Sequence, residues 1–514
     1  MLQIRHLTLI HRGDLRTILD DFSLTVQRGD RVVIIGEEGN GKSTLLRWIF
    51  DPALVEDYID ARGTRTTSGE KLVYLPQELP AADRGLPVWD WLNLQDFFAN
   101  ADPGEIARTS SRLRVPQDLF YSDQPMGTLS GGERIKVQMA ALLAQQPDIL
   151  LLDEPSNDID IEMLLWLEEQ IRSFTGAVLF ISHDETLIER TANRVVLLEQ
   201  LRRKTLPRAT VANVPFLTFR REREEAFEKQ ARLAGSERRE EKKAMERFRR
   251  IEQTVEHQQA AVSRQDPHGG FLLKRRMAKV KALERRYERE HEEMTDYPEQ
   301  ESAITIRFDL QAPMPAGKTV LDLRLPELKA PDGRLLARDI ALKVRGPQKI
   351  ALIGRNGAGK TTLLRLIADR LLADPTVRAC YMPQNYEDLL IADLTPIDFL
   401  APSGSKEDVT RVRTYLGSMK YTADEMLHPI SELSGGQKAK ILLLSMSLTA
   451  ADVLILDEPT RNFSPLSGPE IRRIIKDFPG AVISVSHDRR FLGEVCDQVY
   501  ELTKDGLIPR SSAG

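Results

Sequence analysis

Against a chain of otherwise mixed polarity, four short unbroken apolar runs stand out: Arg31-Val-Val-Ile-Ile35, Ile149-Leu-Leu-Leu-Asp153, Lys349-Ile-Ala-Leu-Ile353 and Val453-Leu-Ile-Leu-Asp457. Runs this short, apolar at nearly every position and bounded by glycine or acid, are what strands buried on both faces of a parallel sheet require. Two of them open into glycine-rich loops that lead into apolar, helix-forming segments, Thr44-Leu-Leu-Arg and Thr362-Leu-Leu-Arg. The other two end in an Asp-Glu pair. The first ten residues, Met-Leu-Gln-Ile-Arg-His-Leu-Thr-Leu-Ile, alternate instead, as a half-exposed strand does.

The middle of the chain follows a different period. From about Phe216 to Gln265, and again from Phe271 to Tyr297, Glu, Arg, Lys, Gln and Ala dominate, and proline is absent. Apolar positions recur at helical spacing, as in Met245, Phe248, Ile251 and Val255, then Leu273, Met277, Val280 and Leu283. Asp266-Pro267-His268-Gly269-Gly270 interrupts the pattern with a turn signal. The expectation is an α-helical hairpin whose first arm, at 1.5 Å per residue, is roughly 75 Å long.

The apolar runs belong to an internal duplication. Ser130 and Ser434, Asp153 and Asp457, and His183 and His487 are each separated by 304 positions. We therefore expect an α/β fold class, two P-loop domains joined by a long helical hairpin. The expected domains are 1–200, a linker at 201–303, and 304–514.

Composition alters this picture little. With 41% hydrophobic and 29% charged residues and a net charge of −5, the chain is an ordinary globular protein. Its two cysteines, Cys380 and Cys496, form neither a disulfide framework nor a zinc motif. The N-terminus lacks the pattern of a signal peptide, and no apolar run is long enough to span a bilayer. A cytoplasmic protein is expected. Charge is segregated, however. Residues 270–289 carry Lys274, Arg275, Arg276, Lys279, Lys281, Arg285, Arg286 and Arg289 against only Glu284 and Glu288. Over 220–260 the charges balance as a solvated helix face does. The one-sided stretch suits a phosphate backbone.

The glycine-rich loops, GEEGNGKS at 36–43 and GRNGAGKT at 354–361, carry the chemistry. Gly36, Gly39 and Gly41, like Gly354, Gly357 and Gly359, let backbone N–H groups turn inward around phosphate oxygens. Asn40, Thr44, Asn356 and Thr362 complete the cradle, whose following helix aims its N-terminus at the same anion. Lys42 and Lys360 supply charge for the β- and γ-phosphates, and the hydroxyls of Ser43 and Thr361 suit Mg²⁺. Asp153 and Asp457 are the expected metal-side carboxylates, with Glu154 and Glu458 placed to polarise water. His183 and His487 each follow their glutamate by 29 residues, in repeated Ser-His-Asp triplets, and suit the γ-phosphate. Gln77 and Gln384, after Tyr-Leu-Pro and Tyr-Met-Pro, offer amides to the metal or its water.

With Leu-Ser-Gly-Gly-Glu at 129–133 and Leu-Ser-Gly-Gly-Gln at 433–437, both halves resemble ATP-binding-cassette (ABC) nucleotide-binding domains. The resemblance implies a Mg²⁺-dependent ATPase, monomeric, whose two cassettes pair head to tail. One site would join the first P-loop to Ser434, Gly435 and Gly436; the other would join the second P-loop to Ser130, Gly131 and Gly132. The tandem layout, without a membrane domain and with a basic helical linker, resembles the ABC-F branch of translation factors. That branch implies the ribosome as partner, near its E site. The linker tip, at 264–289, would approach rRNA, the P-site tRNA and the peptidyl-transferase centre, and hydrolysis would drive release. Arg264, Lys274, Arg275, Arg276 and Lys279 are then the candidate RNA contacts. Such proteins either relieve stalled translation or confer antibiotic resistance by ribosome protection. The rival is a tandem ATPase subunit of a membrane importer, against which the long linker counts. One departure stands out. Arg461-Asn-Phe-Ser-Pro-Leu follows the second Asp-Glu-Pro-Thr where many cassettes have Asn-x-Leu-Asp, while Asn157-Asp-Ile-Asp160 keeps close to that pattern.

Overall fold

Each apolar run forms a strand with every residue buried or nearly so, at the heart of a six-stranded sheet. The first sheet has the order Leu72–Leu75, Ile149–Asp153, Ala177–Ile181, Arg31–Ile35, Arg194–Gln200, Leu206–Ala212. The second repeats it as Ala379–Met382, Val453–Asp457, Ala481–Val485, Lys349–Ile353, Gln498–Thr503, Gly506–Arg510. All neighbours are parallel except the last pair of each sheet. In this computed structural model residues 1–201, 205–261, Phe308 and 314–510 are described, with Phe271, Lys274, Arg275, Met277–Lys279, Lys281 and Ala282.

Antiparallel strands flank each sheet. Leu2–His11 lies between Thr17–Val26 and Ile59–Thr67, its alternate residues facing the core, and Thr319–Lys329 pairs with Leu335–Arg345. The helices Lys42–Phe50 and Lys360–Leu372 bury Leu45, Leu46 and Ile49, and Leu363, Leu364 and Ile367, in the two cores. In both sheets the strand before the glycine-rich loop sits centrally; the chain leaves it toward one edge of the sheet and leaves its neighbour, Ala177–Ile181 or Ala481–Val485, toward the other. Such a switch point opens a crevice at the carboxyl ends of the strands, where open α/β sheets bind ligands.

Chain contacts divide the molecule into two units, Met1–Phe216 with Glu301–Gly514, and Leu217–Gln300. Both cassettes thus belong to the first. The second contains most of the helix Phe216–Ala261, 46 residues long. Arg232 pairs with Glu228 at 2.9 Å and Arg220 with Glu224 at 3.9 Å, both one helical turn apart, and the Arg223 guanidinium lies 4.5 Å above the Phe227 ring. Lys274, Arg275 and Lys279 are helical and exposed. Arg264, Arg276, the turn at 266–270 and most of the second arm lie outside the described residues.

Candidate functional site

The first P-loop is closed on itself by its lysine. Lys42 is buried and donates from Nζ to the carbonyls of Gly36, at 2.9 Å, and Glu37, at 3.0 Å. Lys360 repeats this with Gly354 at 2.8 Å and Arg355 at 3.0 Å. Gly36 has a φ of 152°, and a Cβ there would lie 2.3 Å from the Leu198 carbonyl oxygen, so only glycine lets the loop leave its strand here. Beyond the loop the Ser43 hydroxyl donates to Asp153 at 2.9 Å, and the Tyr74 hydroxyl donates to the other oxygen of that carboxylate, also at 2.9 Å. Burial raises the pKa of Asp153 against these two hydrogen bonds. Asp457, buried at the same place in the second cassette, is likewise raised by burial, against the Thr361 hydroxyl and the Lys360 charge. Clustered hydroxyl and carboxylate oxygens beside a phosphate cradle are a donor set that fits a hard cation such as Mg²⁺.

Glu154 and Glu458 both adopt left-handed backbone, with φ of 50° and 53°. Conformations of this kind are costly for a non-glycine residue. They are fixed here by backbone N–H groups donating to Ile181 and Val485 on the neighbouring strands.

The two glutamates then differ. Glu154 accepts from Gln77 Nε2 at 3.1 Å and from the Asn157 side chain, and His183 Nε2 lies 3.3 Å from it. Burial pushes its pKa up, but His183, Lys42 and Asn157 outweigh that and hold it at about 2. Glu458 receives the His487 backbone N–H at 3.3 Å, with the His487 ring 3.8 Å away. Burial, reinforced by Asp457, pushes Glu458 up to about 8. His487 is pushed down to about 4 by burial and by the charge of Lys360. Gln384 makes no such contact; it lines a cavity of about 100 Å³ with Glu458, His487, Asn157 and His183.

Ser130 and Ser434 begin the helices Gly131–Ala144 and Gly435–Leu448. Each caps its helix reciprocally, with Glu133 or Gln437 at the third position, so the Ser-x-x-Glu/Gln spacing is a capping box. Gly131 packs against the Asp158 carbonyl and Gly436 against that of Asn462, where a Cβ would come within 2.3 Å and 2.8 Å. The turn after each Asp-Glu pair is thereby seated on the signature helix.

The cassettes meet through these parts. The Gly436 N–H donates to Glu38 of the first P-loop at 2.6 Å, bringing that loop onto the second signature helix. Glu37 accepts from the Ser464 and Ser467 hydroxyls, both at 2.8 Å, and faces Lys440 at 3.7 Å. Burial raises its pKa, but Lys440 and the hydroxyls outweigh burial and lower it. His183 Nδ1–H donates to the Phe463 carbonyl at 2.7 Å. On the other side, Asn356 Nδ2 donates to the Asp158 carbonyl at 2.6 Å, and Arg355 meets Glu162 at 3.3 Å. Arg461 pairs with Asp158 at 2.9 Å. The second P-loop thus meets the turn on which Gly131 packs, whereas the first reaches a signature N–H itself.

Tyr74, Asn157, Glu37, Glu38 and Arg461 therefore belong to the site alongside the expected residues. Asn157 and Arg461 occur in the compared turns and Tyr74 in Tyr-Leu-Pro, so each had a motif to mark it. Glu37 and Glu38 had one too, since the second copy has Arg355 and Asn356 at those places.

The ABC transporter family profile matches residues 19–157 and 337–461. The ribosome protection protein VmlR of Bacillus subtilis is 28% identical over 505 residues, covering 96% of this chain and 85% of VmlR. The probable ATP-binding protein YheS of Escherichia coli is 28% identical over 528 residues, covering 96% of this chain and 77% of YheS. Among solved structures, the archaeal ribosome recycling factor aABCE1, in complex with the stalk protein aP1, superposes with a TM-score of 0.58. It is 17% identical, covering 98% of this chain and 90% of that one, and the likeness is one of fold.

Proposed function

Because the chain belongs to the ABC transporter family, as an ATPase with two such domains in tandem and the layout of the ABC-F branch, we propose that it acts on the ribosome. It binds near the E site in its ATP-closed form, directs its linker tip toward the P-site tRNA and the peptidyl-transferase centre, and leaves on hydrolysis. The observation that carries this reading is the joining of two complete P-loop, Asp-Glu and signature sets, in contact with one another, by a long charged helix. Among the described residues no helix is long and apolar enough to cross a membrane. The name of the relative VmlR supports ribosome protection as the outcome.

In this reading Lys42 and Lys360 exchange their loop carbonyls for the β- and γ-phosphates. Ser434–Gly436 and Ser130–Gly132 close on the far side of each nucleotide. Glu154 and Glu458 orient and polarise the attacking water, and His183 and His487 face the γ-phosphate. Mg²⁺, held by Ser43 and Asp153 or by Thr361 and Asp457, with Gln77 or Gln384 beside it, would neutralise phosphate charge.

The test is sedimentation of the Glu154→Gln/Glu458→Gln protein with purified ribosomes through sucrose. Co-sedimentation that requires ATP is expected; none in either condition would remove the ribosomal reading and revive the importer subunit. A second expectation concerns the tip. Reversing the charge of Lys274, Arg275 and Arg276 should weaken ribosome binding at least tenfold, since each lost phosphate contact removes favourable counterion release. Ribosome-free ATPase activity should be unchanged, and an equal loss of both would assign these residues to folding instead.

A further inference from the structure

The duplication relates Glu168 to Arg472 and Glu185 to Arg489, both at the offset of 304 that relates the two histidines. At both positions the first cassette carries an acid and the second an arginine. The fold brings each acid against the arginine of the other pair. Arg472 donates to Glu185 through two nitrogens, Nη1 to Oε1 at 2.6 Å and Nη2 to Oε2 at 3.0 Å. Arg489 pairs with Glu168 at 2.6 Å and with Asp184 at 3.2 Å. All four side chains are more than nine-tenths buried. Arg490 adds a contact to Glu189, and Glu494 joins Arg472 at 2.8 Å.

A further feature shows that the contact is built in. Gly468 begins the helix Gly468–Lys476 at the point where the Glu185 carboxylate enters. A Cβ there would lie 2.1 Å from Glu185 Oε1. Glycine at this place admits an acid from the other cassette.

We propose that these two crossed pairs are a clasp that holds the cassettes together without nucleotide and makes each cassette specific for the other. The partner it fits is the complementary half of the same chain. Two first cassettes would set Glu168 and Glu185 against Glu185 and Glu168, and two second cassettes would set arginine against arginine. Setting like charges against each other in a buried contact is costly, so homotypic pairing between copies is disfavoured. The clasp lies beside the Ser-His-Asp triplets, since Asp184 and Asp488 both contact its arginines, the latter at 3.8 Å from Arg472. It can therefore act as the pivot about which the ATP sites open while the cassettes remain attached.

The experiment uses the full chain without nucleotide, carrying a fluorescent donor on one cassette and an acceptor on the other. The parent should show one high-transfer population. Glu185→Arg, which sets arginine against Arg472, should reduce that population at least tenfold, and Glu185→Arg/Arg472→Glu should restore a clear part of it, short of the parent because Glu494 and Asp488 also lie against position 472. The milder Glu185→Gln, which removes only the charge, should lie between parent and reversal. Circular dichroism confirms that the cassettes stay folded. Specificity is tested with two chains, Glu168→Arg/Glu185→Arg, basic at both faces, and Arg472→Glu/Arg489→Glu, acidic at both. Light scattering should show association only when the two are mixed. Unchanged transfer in Glu185→Arg and Glu185→Gln, failure of the swap to restore it, or self-association of either chain would each overturn the clasp. None of these readouts involves ATP or ribosomes, so they stand apart from the test of function.

Discussion

Replacing both Glu154 and Glu458 with glutamine should lower steady-state ATP turnover by about 10²- to 10⁴-fold, the usual contribution of a positioned general base. Nucleotide binding should survive, because Lys42, Lys360 and both signature helices are untouched. Glutamine keeps the length and shape of the side chain but cannot take a proton from water. The single variants should not be equal. Glu154 is held in place by the side chains of Gln77, Asn157 and His183, whereas Glu458 is held by the His487 backbone N–H, with the His487 ring 3.8 Å away. Glu154→Gln alone should therefore remove the larger share of turnover. Phosphate release by each variant, at saturating ATP, measures this. Near-normal hydrolysis by the double variant would place the bases elsewhere, and equal losses in the single variants would deny the asymmetry any functional weight.

That asymmetry also shows what the sequence can and cannot disclose. The strands at 31–35, 149–153, 349–353 and 453–457 were legible because a strand buried on both faces must be apolar throughout, whatever surrounds it. The P-loops were legible because backbone turned around an anion demands glycine at fixed spacing. The turn after the second Asp-Glu pair could be seen to depart from the first, but the consequence could not. Arg461 reaches Asp158, and Phe463 offers its carbonyl to His183, across about 300 residues of sequence. Contacts between segments so distant leave no local periodicity. Their trace lies in comparing the two copies. Glu168 against Arg472, Glu185 against Arg489, and Glu37 against Arg355 are reversals of charge at equivalent places, and such reversals are what two faces that must fit each other, rather than themselves, require.

Glu38→Asn should tighten ATP binding at the first site by about tenfold. The Glu38 carboxylate takes the Gly436 N–H, a donor that the signature helix would otherwise present to the γ-phosphate. A charge-assisted hydrogen bond contributes roughly 1.5–3 kcal/mol. ATP must displace it while bringing further negative charge to the same helix N-terminus. Asparagine, which the second copy has at this place as Asn356, removes the like charge and leaves Glu37 in its own contacts with Lys440, Ser464 and Ser467. Titration of a fluorescent ATP analogue into Lys360→Ala protein, with only the first site competent, isolates the effect. In Lys42→Ala protein, where only the second site remains, Glu38→Asn should change the affinity little, because Glu38 faces the signature helix of the first site alone. Weaker binding at the first site would mean that Glu38 organises the loop for nucleotide instead of competing with it. An unchanged affinity would mean that the carboxylate leaves Gly436 at no cost, through new partners in the bound state.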